Sequence, residues 1–67
     1  MDRDKLIRKL RRYARERGLA FSEDRKRGSG SHHLVAVGDR RTTIQQKLTP
    51  GRIEAILKQL GIDPRSL

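Results

Sequence analysis

The sequence of 67 residues contains no cysteine and no tryptophan, and its aromatic side chains are limited to Tyr13 and Phe21. Without thiols the chain forms neither a disulfide framework nor a thiolate metal site, which suits a reducing compartment. Two aromatic rings are too few for a platform on which successive nucleic-acid bases stack. Any contacts with nucleic acid are therefore expected mostly at phosphate groups.

Long apolar stretches are also missing, since no run approaches the roughly 20 residues that a membrane-spanning helix needs. The first residues, Asp2 to Lys5, are charged where a secretory signal would carry an apolar segment. We therefore expect a cytoplasmic protein with no membrane partner. Its length allows one domain, residues 1–67, with a core so thin that a stabilising partner is plausible, although we expect the free chain to be a monomer.

Basic side chains are abundant. Seventeen Lys and Arg stand against eight Asp and Glu, which gives a formal net charge of +9. A field of this strength attracts polyanions over a long range. Nucleic acid or an acidic protein is therefore the expected class of partner.

An amphipathic helix is predicted from Asp2 to Arg17, with Gly18 as its left-handed stop. The apolar side chains recur at helical spacing: Leu6, Ile7, Leu10, Tyr13 and Ala14. The opposite face is basic: Arg8, Lys9, Arg11, Arg12 and Arg15. This face fits a solvated surface and a phosphate contact equally well. Membrane-surface binding is disfavoured, because a core uses the whole apolar stripe.

Three short strands are predicted next. The first is Leu19-Ala20-Phe21, and the second and third are His32–Val37 and Arg40–Ile44, joined by the two-residue turn Gly38-Asp39. In this register His33 shares one face of the sheet with the branched side chains that should pack on the helices: Val35, Val37 and Ile44. The other face carries the remaining residues of the hairpin: His32, Leu34, Ala36, Arg41 and Thr43. His32 is thus expected to be the more exposed imidazole.

A basic, Gly-rich and Ser-rich loop, Arg25 to Ser31, separates the first two strands. It fits a low-complexity hairpin loop, and it fits a mobile arm in which Arg25-Lys26-Arg27 and neighbouring backbone N–H groups grip a phosphate. It is not a nucleotide-binding P-loop, because no Gly-Lys-Ser/Thr ending follows.

The second helix is predicted to begin after an N-cap at Thr49, with Pro50 in its first turn, and to end at Gly61 with Ile62 packed back on Leu57. Its apolar stripe is Ile53, Ile56, Leu57 and Leu60. Two amphipathic helices and one alternating antiparallel sheet predict a two-layer α+β domain of order α-β-β-β-α, with both helices on one face.

Four stretches, in this order along nearly the whole chain, resemble the HicA toxins of bacterial type II toxin-antitoxin systems. They are the Gly-Ser-His run that enters the second strand, Gly38 to Ile44, Pro50-Gly51, and Ile56 to Ile62. The chain departs from many members after the third strand, where Gln45, Gln46 and Lys47 replace a Pro and a nearby His.

This resemblance implies a fold like that of double-stranded-RNA-binding domains and a ribonuclease that cleaves mRNA without a metal or other cofactor. It also implies a single catalytic histidine and neutralisation by a HicB-like antitoxin, which the charge of this chain predicts to be acidic. The family histidine follows Gly-Ser and maps to His32. Some members place it one residue later, so His33 is the second candidate.

The chemistry that this requires is compatible with the residues present. RNA supplies its own nucleophile, the 2′-hydroxyl, and imidazole titrates near neutral pH, as a general base should. We expect Arg27, Arg40, Arg41 and Lys47 to lie near the histidine. The full set of predicted RNA contacts is Arg25, Lys26, Arg27, Gly30, Ser31, Arg40, Arg41 and Lys47.

Other kinds of site fit less well. Two adjacent histidines without a cysteine or a further histidine make a poor zinc site, and Ser29 and Ser31 have no oriented Asp partner. Three hypotheses are left: a histidine-dependent endoribonuclease, a non-catalytic module that binds double-stranded RNA, and a basic module that docks an acidic protein.

Overall fold

The structure, a computed structural model, describes residues 2–25 and 32–67. The elements run in the order α1 (Arg3–Glu16), β1 (Phe21–Asp24), β2 (His32–Val37), β3 (Arg40–Gln45), α2 (Pro50–Leu60) and a final 3-10 turn (Pro64–Ser66). The strands form one antiparallel sheet in the order β1-β2-β3. The predicted α+β class and the order α-β-β-β-α are confirmed.

The ends of α1 follow from its sequence. The Asp2 carboxylate accepts a hydrogen bond from the Lys5 backbone N–H at 2.8 Å and so satisfies a free donor of the first turn. Gly18 has φ 66°, and the Leu19 N–H reaches back to the Ala14 carbonyl at 2.8 Å. This is the predicted left-handed glycine stop.

The ends of α2 follow the same rules. Thr49 caps the first turn through its hydroxyl, which accepts from the Arg52 N–H at 3.2 Å. At the other end Gly61 has φ 69°, and the Ile62 N–H donates to the Leu57 carbonyl at 2.8 Å. Ile62 is thereby buried against the helix, as the sequence predicted.

The predicted hairpin register is confirmed, with His33 opposite Ile44, Val35 opposite Thr42 and Val37 opposite Arg40. One face of the sheet and both helices therefore share a single core: Leu6, Ile7, Leu10, Ala14, Val35, Val37, Ile44, Ile56, Leu57, Leu60 and Ile62. Because both helices pack on that face, neither helix covers the other face of the sheet, which we call the open face.

The first strand differs from the prediction. It spans Phe21–Asp24 rather than Leu19-Ala20-Phe21. The Leu19 N–H is used in ending α1, and this side chain is 42% exposed. Instead, the polar residues after Phe21 pair with β2, and β1 extends as far as Asp24, which lies opposite Leu34. The alignment with β2 thus decides the strand, against the local preference of Ser, Glu and Asp for turns.

Among the helices in the described parts of the chain, none is both long enough and apolar enough to cross a bilayer.

Candidate functional site

The two adjacent histidines point to opposite faces of the sheet. His33 lies on the helix side, where it is 7% exposed, whereas His32 lies on the open side and is partly exposed. This confirms that His32 is the more accessible imidazole. Alternation along β2 is the physical reason, since successive side chains of a strand point in opposite directions.

His32 lies at the edge of an open depression that is also lined by Gln45, Gln46 and Lys47. The pairing of β2 with β3 produces this arrangement, because His32 is opposite Gln45 and the chain continues from there to Lys47. An imidazole that can carry a proton and an ammonium that can hold a phosphate thus share one accessible surface. The structure brings these two predicted site residues together.

His33 makes a different contact. Its Nδ1 lies 3.0 Å from Oε2 of Glu23, and both side chains are only 9% exposed. Glu23 reaches this position because it is opposite Val35 and so points to the helix side of the sheet. A carboxylate with so little water around it needs partners, and the imidazole is one of them.

Two guanidinium groups also lie near the Glu23 carboxylate. Arg11 Nη2 lies 3.9 Å from Oε1, and Arg25 Nε lies 3.3 Å from Oε2. The Arg11 guanidinium also stacks over the Phe21 ring, 5.4 Å from its centroid. Arg25 is one of the predicted RNA contacts, and the structure places it on the helix side rather than beside His32.

Arg40 and Arg41 lie at the opposite end of the hairpin from His32, because they pair with Val37 and Ala36. Along β2, Val37 is five residue steps from His32 and Ala36 is four, which correspond to roughly 16 Å and 13 Å. The structure therefore does not bring either arginine close to His32, in contrast to the expectation from the sequence. Their assignment as RNA contacts stays a prediction.

The two arginines also point to different faces. Arg41 lies on the open face, whereas the Arg40 side chain packs against Gly61, so closely that a Cβ at Gly61 would lie 3.1 Å from Arg40 Nε. A cation at this position is favourable, since the carbonyls at the C-terminal end of a helix carry partial negative charge. Arg40 thus packs at the C-terminal end of α2.

The remaining predicted contacts, Lys26, Arg27, Gly30 and Ser31, lie outside the described residues. The interpretation of their loop as a phosphate-gripping arm stays a prediction.

The outer surface of α1 is strongly basic. Its exposed cations are Lys5, Arg8, Arg11, Arg12 and Arg15. Arg12 pairs with Glu16 at 3.3 Å, but both side chains are well exposed, so this pair contributes little to stability. The basic face that the sequence predicted on α1 is therefore confirmed. It lies on the opposite side of the domain from His32.

Glu23 is the residue of this region that sequence reasoning missed. The predicted first strand stopped at Phe21, three residues before the observed end of β1 at Asp24. One signal was available, because Phe21 and Glu23 are two residues apart and share a face in any strand that contains both. Extending that strand would have put a carboxylate on the same side of the sheet as His33.

Within residues 2–25 and 32–67 no group of three or more His, Asp or Glu side chains is placed to hold a metal ion. Comparisons of the chain with protein-family models, with curated proteins and with solved structures found no match.

Proposed function

We propose that this protein is the toxin of a type II toxin-antitoxin pair, an endoribonuclease that cleaves mRNA and so stops translation and growth. The observation that carries the proposal is the accessible His32, which shares an open depression with Lys47 on a domain of net charge +9. The resemblance to HicA toxins supports it, and the observed order α-β-β-β-α agrees with the fold that the resemblance implies.

The reaction needs only groups that the chain and RNA supply. His32 removes the proton from the 2′-hydroxyl, and the resulting oxygen attacks the adjacent phosphorus. The bond from phosphorus to the 5′-oxygen breaks, and that oxygen takes a proton from the Lys47 ammonium or from water. The products are a 2′,3′-cyclic phosphate and a free 5′-hydroxyl. A cation at Lys47 also stabilises the charge that develops on the phosphate oxygens.

The experiment that tests the proposal is an RNA digestion in the presence of EDTA, with wild type, His32→Ala and His33→Ala compared side by side. Wild type should cleave, with cyclic phosphate ends, and His32→Ala should not. No cleavage by any of the three proteins at high enzyme concentration would refute the endoribonuclease. Activity that persists in His32→Ala and disappears in a folded His33→Ala would instead assign the reaction to the second imidazole.

A non-catalytic RNA-binding module is the second candidate function, and the basic outer face of α1 favours it. A module of that kind needs no imidazole on the open face, so its RNA affinity would be unchanged in His32→Ala. The digestion above separates the two functions, because such a module would protect or retain RNA without cutting it.

We propose an acidic HicB-like antitoxin as the partner. A ribonuclease with an accessible His32 would need control in the cell, and an acidic protein would both cover His32 and neutralise the field that gathers RNA. A basic module that only docks an acidic protein is the third hypothesis. It would bind the antitoxin and leave RNA intact.

A further inference from the structure

Apart from Lys47 beside His32, a group of cations lies on the helix side of the sheet, in a notch between α1 and β1. The notch is lined by Asp4, Ile7, Arg8, Arg11, Glu23 and Arg25. The Glu23 carboxylate is the centre of this group, because one of its oxygens faces Arg11 and the other faces Arg25. Both guanidinium groups therefore contact the same nearly buried carboxylate.

These contacts leave most of the binding capacity of both arginines unused. A guanidinium has five N–H donors, and the contacts with Glu23 involve one nitrogen of each group. The side chains of Arg11 and Arg25 are 54% and 69% exposed, so the other donors are accessible to a ligand. The notch has a net positive charge, because it is lined by three arginines and only two carboxylates, Asp4 and Glu23.

The arrangement also reduces the entropy that binding would cost. A free arginine side chain loses rotamer freedom when it grips an anion. Arg11 is already held between the Phe21 ring and Glu23, and Arg25 is held by Glu23. Glu23 is in turn fixed by His33, a nearly buried residue of the central strand. The cluster is thus preorganised by the core of the domain.

We propose that Arg11, Glu23 and Arg25 form a phosphate-binding site for the RNA backbone, in which Glu23 is a positioning residue and the arginines bind the phosphate. This inference rests on the proposed function for the choice of RNA. It extends that function by placing a backbone contact on the opposite side of the sheet from His32.

RNA fits the site better than an acidic protein does, because the cations continue along α1. Arg8, Arg12 and Arg15 follow at spacings of three or four residues, which puts the Cβ atoms of neighbouring arginines about 5–6 Å apart on the helix surface. A row of this kind matches a polymer with one negative charge at every nucleotide.

For Glu23→Gln, the proposal predicts a change in RNA affinity opposite to the one that net charge alone predicts. If only net charge mattered, the removal of a negative charge would strengthen RNA binding. If Glu23 positions the arginines, the same change weakens binding, because two guanidinium groups become free to move. The matched control is Glu16→Gln, which makes the same chemical change on α1 at a side chain that is 66% exposed, where the ion pair with Arg12 holds that arginine only weakly.

The measurement is the fluorescence anisotropy of a labelled 2′-O-methyl RNA, which keeps its phosphates but lacks the nucleophile and so is not cut. Affinities are measured between 50 and 200 mM salt, and circular dichroism checks that each variant is folded. Glu23→Gln should bind about threefold to tenfold more weakly at 200 mM salt, with a salt slope smaller by about 1 to 2. Glu16→Gln should bind as tightly as wild type or slightly more tightly.

A folded Glu23→Gln that binds as tightly as the Glu16→Gln control would overturn the proposal. If Glu23→Gln does not fold, Arg11→Gln and Arg25→Gln take its place, since both side chains are exposed. Each should weaken binding, and the double variant should differ from the product of the single effects, because the two groups share one anchor. Independent or absent effects would overturn the proposal.

The cleavage assay separates this inference from the proposed function. A wild type that cleaves unmodified RNA, combined with a cluster that does not affect affinity, would refute the phosphate site alone. A wild type that neither cleaves nor binds RNA would refute both, and effects of these variants only on binding of an acidic protein would assign the cluster to that partner.

Discussion

The Nδ1 atom of His33 lies 3.0 Å from Oε2 of Glu23, within hydrogen-bond distance, and this contact joins the central strand to β1. His32, the next residue toward the N-terminus, has no place in that cluster, because its side chain lies on the other face of the sheet. Two neighbouring residues of the same type thus have different environments, and they should respond differently to substitution.

The first prediction concerns stability. His33→Ala should lower the free energy of unfolding by about 2 kcal/mol or more, because it leaves a nearly buried carboxylate with one partner fewer and opens a space in the core. His32→Ala should cost less than about 1 kcal/mol, since its side chain is outside the core. Urea unfolding followed by circular dichroism measures both. Equal losses for the two variants would contradict the different roles given to the two imidazoles.

The second prediction concerns activity in cells. Expression of the wild type without its antitoxin should stop growth, and expression of His32→Ala at the same level should not. The physical reason is that His32 supplies the base while contributing little to packing. Growth curves together with immunoblots of protein level provide the measurement. Undiminished toxicity of a well-expressed His32→Ala would rule out His32 as the catalytic residue.

The third prediction concerns salt. RNA affinity should fall by about 10³ or more between 50 and 200 mM salt if six or more phosphates are contacted. With only two aromatic residues in the chain, base stacking, which depends little on salt, should contribute little to the affinity. A titration of 2′-O-methyl RNA at several salt concentrations is sufficient. A flat response would favour protein docking over RNA binding.

The fourth prediction concerns the open face. Charge reversal at Arg41 and Lys47 should weaken binding of RNA and of an acidic antitoxin in parallel, because both ligands would occupy the face that carries His32. Arg65→Glu, in the final turn, is the matched control and should change neither affinity. A complex with the antitoxin in which RNA is still cleaved at the full rate would show that inhibition does not work by occlusion.

The fifth prediction compares Gly51, in the first turn of α2, with Gly61, which ends that helix. Gly61→Ala should destabilise the protein by about 1 kcal/mol or more, because alanine is strained at φ 69° and its Cβ would press on Arg40. Gly51→Ala has open space around the new Cβ and a helical position, so it should be neutral or stabilising by up to about 1 kcal/mol. Thermal unfolding of both variants tests the difference in sign. Equal effects would mean that neither the backbone angle nor the contact with Arg40 matters.

Much of the fold could be predicted because its signals are local. Each helix begins at a side-chain cap, Asp2 or Thr49, and ends at a left-handed glycine, Gly18 or Gly61. The two-residue turn at Gly38-Asp39 fixes the register of the hairpin, and the register puts His32 and His33 on opposite faces. Each of these features depends on residues a few positions apart, where geometry leaves few alternatives.

The sequence by itself determined the helices, the hairpin, the basic surface of α1 and the exposure of His32. Only the tertiary structure decided that β1 runs to Asp24 and that Glu23 joins His33 to Arg11 and Arg25. It also decided that Arg40 packs against Gly61 instead of lying beside His32. The physical reason is that these contacts connect residues distant in sequence. A polar segment becomes a strand, and its carboxylate becomes buried, only when β2 supplies the hydrogen bonds and the helices cover the face.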